Sequence, residues 1–148
     1  MTSIGQCNFT DVDIPSRLRQ KRKLGSFILS LLRHYKNKPA IVSYTFVSDA
    51  FLFEMNQTHL QHDDYTDIIT FDLSEKKGEH LIVDIYISVE RVAENAVLHN
   101  VSYQAELLRV ILHGALHIAG FGDKTPAQKK RMRAAEDEWM QRYETFAP

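Results

Sequence analysis

His113 and His117 stand four residues apart in the string His-Gly-Ala-Leu-His-Ile-Ala-Gly-Phe-Gly-Asp, residues 113–123. On a helix this spacing places both imidazoles on one face, a turn apart, where they can share a single metal ion. By spacing alone, two partly buried histidines bonded to backbone or carboxylates are the commoner reading, and it is the continuation of the string that points to a metal. Gly120 is suited to stop the helix in the left-handed conformation, and Asp123 can then return a carboxylate to the same ion. Three protein ligands leave a tetrahedral zinc one open position, the catalytic rather than the structural arrangement. A metal so held lowers the pKa of its bound water toward ~7. Zinc suits two imidazoles and one carboxylate, although nickel, iron or manganese accept the same ligands.

The rest of the composition agrees with such a site. A single cysteine, Cys7, excludes an internal disulfide and a cysteine-based zinc centre, whereas seven histidines are available. The 148 residues, 44% apolar and 25% charged, fit one soluble domain, 1–148, with one core. No apolar run approaches the roughly 20 residues that span a bilayer, and the start, MTSIGQCNFTDVDIP, lacks signal-peptide order. A cytoplasmic location without membrane contact is expected. The formal charge of −1 predicts no polyanion partner from the whole molecule. Local clusters do: Arg17, Arg19, Lys21, Arg22 and Lys23, and then Lys129, Lys130, Arg131 and Arg133 just after Asp123. Either cluster can contact phosphates or can simply be a solvated helix face.

The elements that must position these groups follow from periodicity. Leu24, Phe27, Ile28, Leu31, Leu32 and Tyr35 recur at helical steps, which predicts a helix over 16–36. Ala40 to Ser48 is β-branched and aromatic and reads as a strand; Asp49 caps a short helix through Leu60. Strands are predicted over Thr66–Leu73 and Leu81–Ser88 around a polar turn with Gly78, and a helix from Ser88 to Leu98. The histidine helix runs from Ser102 to about Ala119 with Leu108, Ile111, Leu112, Ala115 and Leu116 in one stripe. Thr125, Pro126 and Gln128 spell a cap, a first-turn proline and a capping-box partner, opening a final helix that turns Met132, Ala135, Trp139, Met140 and Tyr143 inward. With an edge strand near Gln6 to Phe9, the pattern is an α+β domain: one small mixed sheet of about four strands against about five helices, the metal site at the end of a central helix.

Residues 113–123 also resemble the metal-binding stretch of metzincin proteases, but Gly114 stands where those enzymes place their glutamate base. A closer resemblance is to the signature H-G-x-L-H-L-x-G-Y-D-H of the YbeY family, bacterial rRNA maturation factors described as metal-dependent endoribonucleases. Met55 and Asn56, then Thr66, Asp67, Ile68 and Phe71, resemble that family's L-N and P-T-D-V-L-S-F segments. Asp84, Ile85, Ile87 and Ser88 resemble its G-D-I-x-I-S strand, Val92, Asn95 and Ala96 the following V-x-x-Q-A helix, and Met132 with Glu136 to Glu138 its closing helix. The chain departs from the pattern at Gly122 and Asp123, where the family has Asp then His, so the third ligand is a carboxylate. It departs again at Leu60, which aligns with the family's cleft arginine, and at Tyr65, which aligns with its proline. His59 and His62 lie near that arginine position and read as surface histidines.

The resemblance implies a zinc-dependent endoribonuclease that cuts single-stranded RNA in rRNA maturation, with ribosomal RNA and the small ribosomal subunit as partners and no DNA. His113, His117 and Asp123 hold one zinc, Lys129, Lys130, Arg131 and Arg133 contact RNA, and the general acid and base stay unassigned. Two alternatives stand beside it: a non-catalytic ribosome assembly factor with a structural or weakly bound metal, and a metallohydrolase on a non-RNA substrate. Asp67 and Asp84, unusual in strands, hint at a cleft or a helix-capping role, with structural capping the preferred reading for both. Glu106 reads as a partner of the metal helix or as an ion pair with Arg109, and Trp139 as core; Tyr103 and Phe121 carry no assignment.

Overall fold

The computed structural model describes residues 5–60 and 66–148. Along the chain run β1 (Gln6–Asp11), α1 (Lys21–Lys36), β2 (Ala40–Val47), α2 (Asp49–Leu60), β3 (Ile68–Asp72), β4 (Leu81–Ser88), α3 (Val89–Leu98), α4 (Tyr103–Ile118) and α5 (Pro126–Thr145). The strands form one mixed sheet in the order β1-β2-β4-β3, with β1, β2 and β4 parallel and β3 antiparallel to β4. This is the expected α+β architecture. His62 and Tyr65 lie outside the described residues, as do the side chains of His59 and Leu60.

Alternation along the strands decides which face meets which helix. Val42, Tyr44 and Phe46 of β2 lie opposite Val83, Ile85 and Ile87 of β4, and all six are buried in the main core with α1, α4 and α5. The opposite face presents Val47, Ile69, Phe71 and Tyr86, which pack around Leu52 and Met55 of α2. At the centre is α4, whose Leu107, Ile111, Leu112 and Leu116 are fully buried. The hydroxyl of Tyr44 donates to the carbonyl of Ile111 at 2.8 Å, so a polar group deep in the core is satisfied and ties β2 to α4. Gly114 is what lets α4 lie so close to the sheet. A Cβ there would stand 2.9 Å from Cδ1 of Ile68 and 3.2 Å from Cδ1 of Ile85. No space exists for the glutamate that a metzincin carries at this place.

Helix ends follow their sequence signals. Gly120, at φ +117°, ends the turn after α4, with its N–H donating to His117 and that of Phe121 to Leu116. Thr125 and Gln128 exchange side-chain and backbone hydrogen bonds in a capping box, with Pro126 in the first turn of α5. The first helix departs from expectation, starting at Lys21 rather than residue 16. Ser16 is held by non-helical partners: its N–H donates to Asp11 and its carbonyl accepts the Tyr103 hydroxyl at 2.7 Å, while Arg17 and Gln20 take left-handed φ values of 59° and 56°. The first basic cluster is therefore split between an irregular segment and the first turn of α1. Asp84 is not a cap either. It lies within β4, opposite Ser43 and Phe71, and the cap of α3 is Ser88.

Two outcomes follow. Gly114→Val forces α4 off the sheet, and its unfolding free energy falls by about 2–3 kcal/mol in a denaturant titration. Burial pushes the Cys7 thiol up to about 12 from 9.0, so its stabilising contribution is full below pH 9 and fades as pH rises toward that value. Iodoacetamide at pH 8.5 accordingly alkylates the folded protein at least ~100-fold more slowly than the urea-unfolded chain.

Candidate active site beside the central helix

Helix α4 presents Glu106, Arg109 and His113 along one stripe, as their spacing dictates, and α5 crosses it with Glu136 and Asp137. Glu136 is the hub. It sits on the apolar stripe of α5 between Met132 and Trp139, and only 7% of its side chain is exposed. One carboxylate oxygen accepts from Arg109 at 3.0 Å and the other from Nδ1 of His113 at 2.7 Å. Arg109 also donates to Asp137 at 2.7 Å. A buried carboxylate is costly unless paired on this scale, and the pairing fixes the ring of His113 with Nε2 turned away from Glu136. Nε2 faces Oδ2 of Asp123 at 3.3 Å, brought there by the reversal at Gly120.

A cavity of about 320 Å³ opens on this array, and Thr66, Asp67, Asn95, His99 and Arg133 complete its polar walls. Asp67 precedes β3, and its carboxylate accepts from the Asn95 amide at 3.3 Å, so it is no helix cap. Burial raises its pKa above the usual 3.8; the charge of His113 and its own backbone hydrogen bond oppose the rise, and Glu106 and Glu136 add to it. For His113 burial acts downward, but the hydrogen bond and charge of Glu136, with Asp123 and Asp67, outweigh it and raise the pKa above 6.5. Glu106 pairs with His99 at 3.4 Å, and Arg109 with Glu136 and Asp137, so of the two readings of Glu106 the ion pair with Arg109 does not form. Arg133 is half-exposed, its guanidinium 3.9 Å from Glu136.

The donor chemistry suits a divalent cation: an imidazole whose other nitrogen is held by a carboxylate, facing a second carboxylate. Of the three ligands expected from sequence, His113 and Asp123 meet, while His117 is exposed one turn along α4. Among the described residues no three His, Cys, Asp or Glu side chains are gathered as a complete shell. Lys129, Lys130 and Arg131 are exposed on α5, and of the four expected RNA contacts only Arg133 lines the pocket. Asp67, Asn95 and Glu136 are the additions made by the structure. The signal for Glu136 was an acid in phase with an inward apolar stripe; for Asp67 it was a carboxylate in a strand-like segment.

The fold and pocket define a class: an α+β protein with an acid–histidine–acid array, bordered by arginines, equipped for acid–base or metal-assisted hydrolysis of an anionic substrate. The family model described as Endoribonuclease YbeY matches residues 8–144, and the chain belongs to that family. A relative named Endoribonuclease YbeY from Cytophaga hutchinsonii is 43% identical over 129 residues, covering 87% of this chain and 90% of that one. Another of that name, from Bacteroides fragilis, is 42% identical over 118 residues, covering 80% and 84%. The solution structure of TM1509 from Thermotoga maritima superposes with a TM-score of 0.62 at 25% identity, covering 94% of this chain and 92% of that one.

The raised pKa of His113 stabilises the fold fully below its unfolded value of 6.5, and that contribution is lost as pH rises through the folded value. In chelator-treated protein the His113 ring resonance titrates above 6.5. Glu136→Gln removes the opposing charge and moves that midpoint down, as NMR titration checks.

Proposed function

We propose that the chain is a metal-dependent endoribonuclease that cleaves single-stranded RNA during rRNA maturation and ribosome assembly, with the small ribosomal subunit as its partner. Membership in the family supports RNA cleavage, and the observation that carries it to a site is His113 held between Glu136 and Asp123 in the arginine-bordered pocket. His113, His117 and Asp123 are the residues that would hold one zinc or similar ion. The chemistry such an ion supplies when bound is Lewis-acid polarisation of a phosphodiester.

The chain's own residues have separable tasks. Glu136 orients His113 through Nδ1, and Arg109 holds Glu136 in turn, so the imidazole does not swing. Arg133, half-exposed at the pocket rim and 3.9 Å from Glu136, has further donors to offer a substrate phosphate in place of the cleft arginine that Leu60 replaces. Asp67, buried in the pocket wall with its pKa raised by that burial, is the group fitted to hold and deliver a proton at the reacting phosphate. A second reading, a ribosome assembly factor with a weakly bound metal and no turnover, is favoured by the separation of His117 from the His113–Asp123 pair.

The deciding measurement is cleavage of a labelled single-stranded RNA by protein reloaded with one defined metal, beside His117→Ala purified identically. Metal-dependent cleavage that falls at least ~100-fold in His117→Ala supports the nuclease. Equal cleavage in both proteins, or none in either, leaves the assembly factor. No helix among the described residues is long and apolar enough to cross a membrane.

A further inference from the structure

A second cavity, of about 350 Å³, adjoins the candidate active site and is lined by Tyr35, Gly120, Phe121, Gly122, Gln128 and Arg131. Neighbouring residues divide between the two cavities. Gly122 borders this one and Asp123 the other; Arg131 borders this one and Arg133 the other. Residues two apart on a helix point about 200° from each other, so the first turns of α5 separate two binding spaces that share one connecting loop.

The lining has a definite chemistry. The rings of Tyr35 and Phe121 meet edge to face, centroids 5.3 Å apart at 86°, and form an aromatic corner. Tyr35 is held in place because its hydroxyl accepts from Nε1 of Trp139 at 2.9 Å. The polar groups are donors. Oε1 of Gln128 accepts the N–H groups of Lys124 and Thr125 at 3.0 and 3.2 Å, which leaves its Nε2 without a protein partner among the described residues. Arg131 is exposed and forms no ion pair among the described residues, unlike Arg109, Arg133 and Arg142. Beside Gly120 nothing lies within 4 Å of where a Cβ would be, so the mouth is open.

A planar π surface, an unspent amide donor and an unpaired guanidinium match a base with carbonyl acceptors and the phosphate attached to it. We propose that this cavity is a nucleotide subsite, holding one base of a single-stranded RNA against the Tyr35–Phe121 corner and its phosphate on Arg131, next to the phosphodiester in the active-site pocket. This rests on the ribonuclease reading and deepens it by naming where the strand continues. Stacking accepts any base, so the subsite favours unpaired RNA without a strong sequence preference.

The test uses the full chain with excess chelator, so that binding is read without cleavage, and labelled decauridylate as probe, followed by anisotropy and by the fluorescence of Trp139, the only tryptophan. Wild type binds saturably and its tryptophan emission changes. Phe121→Leu weakens binding about tenfold and removes the emission change. Arg131→Ala, on an exposed position that leaves the fold intact, lowers the slope of log affinity against log salt by about 0.7, and Arg131→Lys restores it. Circular dichroism melts of each variant separate lost binding from lost structure. If both variants bind as wild type while wild type cleaves RNA in the separate metal-loaded assay, the subsite is overturned and the nuclease stands. If wild type binds and the variants do not, but no cleavage is seen, the subsite stands and the catalytic reading falls. No RNA binding by wild type overturns the subsite, and removes the nuclease as well only where the metal-loaded assay shows no cleavage; equal, Arg131-dependent binding of polyglutamate overturns the assignment to a nucleotide.

Discussion

The buried carboxylate of Glu136 is the constraint around which the site is organised. An acid with so little exposure is tolerated only if its charge is answered, and Arg109 and His113 answer it from two successive turns of α4. These contacts set how α5 lies against α4 and which way the imidazole points. They also explain why His113 is more basic than its burial alone would make it. A structural role and a functional one thus fall on the same four atoms.

Close packing imposes the second condition. Gly114 brings α4 against Ile68 and Ile85, so that Asp67, one residue before β3, and His113, one residue before Gly114, border one cavity. Asn95 of α3 reaches the Asp67 carboxylate from the other side. Five separate segments therefore meet in a space of about 320 Å³, and none carries the chemistry alone.

The departures from the YbeY signature have local physical counterparts. At Gly122 a Cβ would stand 2.8 Å from Cδ of Gln128, so an aspartate there conflicts with the placement of Gln128 that closes the capping box of α5. Gly122 and Gln128 form a matched pair, and the carboxylate that the signature places at this point appears one residue later, at Asp123, where it faces His113. Arg133 brings a guanidinium to the rim of the pocket from α5.

Short-range physics was readable in the chain itself. The inward stripes of α1 and α4, the left-handed stop at Gly120 and the capping box at Thr125 depend on residues a few positions apart, and all stand where their spacing places them. The approach of Asp123 to His113 was legible for the same reason, because one helix end and one turn decide it. The start of α1 was not, because Ser16 is held by Tyr103, 87 residues away, in place of helical partners. The Glu136–His113 and Asp67–Asn95 bonds join residues 23 and 28 positions apart, across segments whose angles are set by the packing of α4 on the sheet. Sequence determined the elements, the family and the histidine–aspartate string; only tertiary packing decided which carboxylates are buried beside them, because burial and its compensating charges are properties of the assembled core.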